Sequence, residues 1–190
     1  MQGSLKKFSH ETLDKILAEL ELPSELTPLI NQESNDMAIL SKLIETQHFP
    51  AAVKFLALGL PKREAVWWAY LCAQDVEGNN NDLKTQNALK ATSEWVRQPT
   101  EDNRRKAGPS AEALELYTPS SWAAMAAFWS GDNIAAPGRP VVTPPPFMAG
   151  EAVSNAVVLA ASKKPEPAEA YKIYLKQGLH IAMGGNGKIA

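Results

Sequence analysis

The segment Pro61-Lys62-Arg63-Glu64-Ala65-Val66-Trp67-Trp68-Ala69-Tyr70-Leu71-Cys72-Ala73 decides the fold. Proline is tolerated at the first turn of a helix, where its missing N–H costs nothing, so Pro61 opens a helix here. Beyond Glu64 that helix is apolar on nearly every side. A helix without a polar face must sit in the centre of a bundle. Adjacent residues on a helix point about 100° apart, so Trp67 and Trp68 cannot face one direction.

Helical signals continue on both sides. Upstream, Pro50 opens a short helix through Leu58, with Gly59 as its cap. Asn35 or Asp36 opens another, with Met37, Leu40, Leu43 and Ile44 inward. Near the start, Ser9 can cap a helix whose stripe is Leu13, Ile16, Leu17 and Leu20, ended by Pro23. Downstream, Asp82 caps a helix with Ala88, Leu89, Thr92, Trp95 and Val96 on one face. Thr100, followed by Glu101 and Asp102, starts the next helix, which Gly108-Pro109 should break or kink before residues 111–116. Thr118-Pro119 starts an alanine-rich helix to Trp129, and Gly131 ends it. Residues 136–146 carry too many prolines for a helix and form an extended strap. Ala152, Val153, Ala156, Val157 and Ala160 mark one more packed helix, and residues 165–177 the last. Gly178 is placed for a left-handed cap, with Leu179 closing back on Tyr174. No strand alternation is found. The expected fold is all-α, a compact bundle of about seven or eight short helices with a Pro-rich strap.

Composition bounds the function. The chain has 190 residues, with 19 Lys and Arg, 21 Asp and Glu, and a net charge of −2. A balanced charge argues against nucleic-acid binding, which favours a basic surface. One cysteine, Cys72, excludes an internal disulfide and a Cys-rich zinc site. No apolar run is long enough to span a membrane, and the first residues lack the apolar core of a signal peptide, so a cytoplasmic location is expected. Residues 1–48 carry 8 acids against 4 bases, and the remainder 13 against 15. This shift suggests an N-terminal acidic helical extension (1–48), a bundle domain (49–183) and a flexible tail (184–190).

The search for chemistry gives few candidates. His10, His48, Cys72 and His180 lie far apart, and no metal-ligand spacing occurs, so neither a metal site nor a cofactor is expected. Cys72 in an all-apolar helix reads as a small buried hydrophobe rather than a nucleophile. The tail Gly184-Gly185-Asn186-Gly187-Lys188 lacks the first glycine, the Ser or Thr and the following helix of a phosphate loop. Glu112 and Glu115 read as a solvated pair. Arg104-Arg105-Lys106 reads as a solvated helix face, or as one rim of a docking site for an acidic partner. Trp95 and Trp122 read as core. Trp67, Trp68 and Trp129 read as core, or as core plus the rim of a partner groove, because tryptophan concentrates at binding hot spots. The strap most simply packs over the bundle with Phe147 as its anchor, or else serves as a ligand for a proline-reading domain.

Two strings carry a resemblance. Leu60-Pro61-Lys62-Arg63-Glu64-Ala65-Val66-Trp67-Trp68-Ala69 is followed by Trp95-Val96-Arg97 and Pro99, and Ser121-Trp122-Ala123-Ala124-Met125-Ala126-Ala127-Phe128-Trp129-Ser130-Gly131 by the strap. Over about residues 48–183 these resemble an uncharacterised bacterial all-helical domain family found near type VI secretion genes. The resemblance implies a small cytoplasmic accessory protein and carries over no catalytic residue. The expected function is therefore non-enzymatic protein binding, as an adaptor, chaperone or scaffold. The expected contacts are Trp67, Trp68, Trp129, Phe147, Arg104 and Arg105, and the partner is a secretion component or effector. The alternatives are an immunity protein against a toxic effector, or an enzyme whose site is assembled from distant residues.

Overall fold

A computed structural model describes residues 5–9, 13–33 and 35–189. His10 and the first turn leading from Ser9 lie outside them. The described residues form ten helices and no strand: α1 (Leu13–Glu19), α2 (Thr27–Asn31), α3 (Asp36–Glu45), α4 (Phe49–Gly59), α5 (Lys62–Glu77), α6 (Leu83–Arg97), α7 (Glu101–Glu112), α8 (Pro119–Trp129), α9 (Met148–Ser162) and α10 (Pro167–Ala182). The all-α expectation holds. The element that the sequence reading did not mark is α2, a single turn from Thr27 to Asn31 with Pro28 in its first turn.

Helix starts follow the side-chain chemistry. Asn35 accepts from the Ala38 N–H, Asp82 from Thr85 and Thr100 from Asn103. Thr118 and Ser121 cap each other's backbone N–H groups at the head of α8. Each cap satisfies a donor that the helix leaves unpaired.

The centre is α5, packed against α6, α8, α9 and α10. Ala65, Val66, Trp68, Ala69, Cys72 and Ala73 are all buried. The buried stripe of α9 is Ala152, Val153, Ala156, Val157 and Ala160, as its spacing predicts. α8 is alanine-lined, so neighbouring helices approach it closely.

Three glycines behave differently from their sequence reading. Gly178 is not a left-handed cap; α10 runs through it to Ala182. A Cβ there would lie 2.6 Å from Leu56 Cδ2 and 2.8 Å from the Trp68 ring, so Gly178 is the seat of Trp68. Gly108-Pro109 does not break α7, which continues to Glu112. Gly108 instead faces the Phe128 ring, 3.0 Å from where its Cβ would be. Pro109 lies inside α7 and leaves the Arg105 carbonyl without its i+4 N–H, and Ser110 Oγ donates to the Lys106 carbonyl nearby. The helix expected over 111–116 instead ends at Glu112, and the chain turns through left-handed Glu115 and Leu116. Gly59 is the last residue of α4, and a Cβ on it would occupy the Phe8 ring.

That contact ties the N-terminal region into the bundle. Leu5 N–H donates to the buried Asp36 carboxylate at 3.0 Å, Lys7 N–H to the Ala182 carbonyl, and Ser9 N–H to that of Gly59. Leu5, Phe8, Ile16, Leu26 and Ile30 share one core with α5 and α9. The acidic helices therefore pack into that core. At the far end, Trp67 Nε1–H donates to the Asn186 carbonyl at 2.8 Å, and Gly187 packs on Leu71 and Ile181, so Asn186 and Gly187 lie against α5.

A polar latch closes the opposite end of α5. Buried Glu77 accepts from the Ser120 N–H at the head of α8 and from Lys163 at 2.7 Å. Asp75 accepts from Tyr174 and Lys164, both at 2.7 Å. Burial alone would raise the Asp75 carboxyl, and these two partners reverse it to a net lowering.

Gly178→Val should destabilise the protein by about 1–3 kcal/mol in urea unfolding, because the added methyls collide with the indole of Trp68. An unchanged midpoint would show that the two helices can separate freely.

Candidate functional site

Where α4, α5, α8 and α9 meet, the chain leaves a cleft of about 840 Å³. Ala57 and Leu58 of α4, Ala65 of α5 and Val153 of α9 wall it on the bundle side. Residues 143–147 of the strap form the facing wall, Trp129 one flank, and Lys6, Lys7 and Lys62 the mouth.

The strap does not pack flush on the bundle as expected. Residues 136–143 are exposed, including Val141 at 71% and Val142 at 50%. Its feet hold it off the surface. Asn133 Oδ1 accepts from the N–H groups of Ala135 (2.9 Å) and Val142 (3.0 Å), while Ile134 N–H donates to the Val142 carbonyl. The loop is thus pinched shut at its base. At the other foot, Phe147 is left-handed (φ 64°), which turns the strap sharply into α9. Its ring is half-buried and packs on the core, so the anchoring role expected of Phe147 is present. Gly150 completes this foot: a Cβ there would lie 2.7 Å from Leu58 Cδ2.

Arg104 and Arg105 secure the first foot, and neither is a solvated face. Arg104 is 3% exposed. It bonds both Glu101 oxygens (2.6 and 2.7 Å), the Phe128 carbonyl and the Asn133 carbonyl (2.6 Å). Arg105 bonds Glu101 (2.7 Å), the Ala135 carbonyl and the Asn133 carbonyl (2.9 Å). Both guanidiniums also lie over the Phe128 ring, at 5.2 and 5.9 Å. Gly131 leaves room for Arg104, since a Cβ there would fall 2.7 Å from its Cδ. The Arg104 guanidinium brings the Glu101 carboxyl down to about 2, against the opposing effect of burial and with help from Arg105.

Of the six residues singled out by sequence, Trp129 and Phe147 meet at the cleft. Arg104 and Arg105 build its support. Trp68 is fully buried, donates to the Tyr174 carbonyl at 2.9 Å and reaches no surface. Trp67 is stacked on Tyr70 at 5.2 Å beneath the tail, away from the cleft. Trp122 and Trp129 share one face, as their spacing of seven predicts, and meet edge to face at 6.4 Å. Trp95 is in the core, and Glu112 and Glu115 are exposed. Sequence reasoning missed Leu58, Met148 and the three lysines, which lie in separate segments with no common motif.

Cys72, His48 and His180 do not line the cleft. Burial pushes the Cys72 thiol well up, so it is no nucleophile near neutrality. Among the described residues, no group of three or more His, Cys, Asp and Glu is placed to hold a metal ion. No helix described is long and apolar enough to cross a membrane.

These features define a helical bundle with a strapped, mainly apolar cleft. The chain belongs to a family of unknown function, DUF6931, whose model matches residues 39–182. The match begins inside α3, so most of the N-terminal helices lie outside it. Neither a curated protein nor a solved structure matches the chain.

The Glu101 clasp gives a pH test. Its folded-state value lies below the unfolded one of ~4.3, so its stabilisation is whole above that value and is lost as the pH falls towards 2. The stability difference between the native chain and Glu101→Gln, read by urea unfolding, should stay constant from about pH 8 to 5 and shrink from about 4.5 down. A difference that does not change with pH would exclude the clasp.

Proposed function

We propose that this chain is a non-enzymatic protein-binding accessory, an adaptor, chaperone or scaffold of bacterial type VI secretion working in the cytoplasm. Its cleft receives an extended segment of a secretion component or effector. The observation that carries this reading is the meeting of Trp129 and Phe147 in one strapped cleft. Aromatic side chains beside a pocket are the usual anchors of protein recognition, because they offer large area at little entropic cost. The buried, unreactive Cys72 supports a binding role over a nucleophilic one. The link to secretion rests on the resemblance carried by the tryptophan strings.

Affinity capture with the full chain, in a bacterium that carries it beside type VI genes, tests this. Trp129→Ala and Phe147→Ala should each weaken capture of a secretion component at least tenfold, and Trp67→Ala should leave it unchanged. Deleting the gene should abolish secretion of that effector. Cells that keep secreting but become sensitive to a toxin would make the chain an immunity protein and overturn the adaptor reading.

A further inference from the structure

The ionic residues lining the cleft have the opposite sign to the chain as a whole. The chain carries −2, and its first 48 residues carry an excess of acids. The cleft is lined by Lys6, Lys7 and Lys62 against one carboxylate, Asp132. Lys7 is neutralised by Glu64 at 3.0 Å. Lys62 donates to the Ser130 carbonyl at 2.9 Å, an uncharged partner that leaves its charge in place, and Lys6 is exposed. The heads of α5 and α9 also border the cleft, and neither has a side-chain cap. Each carries an acid in its first turn, Glu64 and Glu151, so the positive charge of the cleft is that of the lysines.

The strap narrows the ways an occupant can be held. Pro144, Pro145 and Pro146 have no N–H, so this wall cannot complete a strand ladder. The wall keeps its carbonyl acceptors, and Trp129, Phe147 and Leu58 present apolar surface beside the three lysines.

Resting on the protein-binding reading above, we infer that the cleft selects an acidic segment of its partner, in which Asp or Glu alternates with large apolar residues. The carboxylates meet Lys6 and Lys62 while the apolar side chains enter between strap and bundle. Rim charges of this kind govern encounter and selectivity more than total affinity, so the preference should fade with salt.

Panning a randomised ten-residue peptide library on the immobilised full chain tests this, with the double variant Lys6→Glu, Lys62→Glu panned in parallel. Both lysines are exposed, and a matching thermal melt confirms that the variant is folded. The expected result is enrichment of acidic-apolar peptides on the native chain and its loss or inversion on the variant. Changing a selected peptide's Glu residues to Gln should weaken binding about fivefold, and high salt should erase that difference. Selection without acidic enrichment, the same enrichment on both proteins, or no selection at all would overturn the inference. Full displacement by inorganic phosphate alone would also overturn it, by making the mouth a simple anion site. Neutral selected peptides that still compete with the captured partner would leave the protein-binding reading standing and remove only the acidic preference.

Discussion

The Trp68 indole lies across α10 at Gly178, and the remaining packing follows from that contact. Trp68 is among the largest side chains in the core, and its N–H is bound to the Tyr174 carbonyl. Burying an indole needs both a cavity of its shape and an acceptor for its one donor. Gly178 provides the first and the α10 backbone the second. With α5 fixed against α10, the alanine faces of α8 and α9 can close on its other sides. The same device recurs at Gly150, where the first turn of α9 sits directly on Leu58. That approach fixes the second foot of the strap, so the cleft's position follows from how closely helices approach in the core.

The charged residues near the cleft act chiefly as joints. Arg104 and Arg105 direct their donors to the Phe128 carbonyl of α8 and to two loop carbonyls, those of Asn133 and Ala135, and share one carboxylate. An arginine buried without such partners would carry a large desolvation penalty. Here a planar fork meets carbonyls it can satisfy, and the Phe128 face takes part of the remaining charge. The result fixes the chain that leaves α8, which would otherwise be a long loop free to fold onto Trp129 and fill the cleft.

Much of the fold is legible in the sequence because local chemistry writes it. Asn35, Asp82, Thr100 and Thr118 announce helices by offering a side-chain acceptor, and the structure uses all four. Glycine is ambiguous in the same alphabet. Gly178 and Gly108 look like stops because a missing Cβ permits a left-handed cap. A missing Cβ equally permits a neighbouring ring to come close, and only the tertiary partner, Trp68 or Phe128, decides between the two. The tryptophan pair shows the same limit. Adjacency requires that Trp67 and Trp68 diverge, but not which of them faces inward. The mouth lysines were illegible because residues 6, 7 and 62 meet only after the N-terminal segment threads between Gly59 and Ala182.

The strap's prolines do more than forbid a helix. A flexible loop of this length would lose conformational freedom on closing over a ligand, and that loss would weaken binding. Pro137 to Pro146 removes most of that freedom in advance, and the Asn133 pinch and the Phe147 turn fix both ends. The wall is therefore set before any partner arrives. The prolines on both sides of Val141 and Val142 interrupt the row of N–H groups, and the Val142 N–H is already bound to Asn133, which limits edge-to-edge association there. One compositional choice thus both keeps the strap extended and limits the hydrogen-bond donors its wall presents.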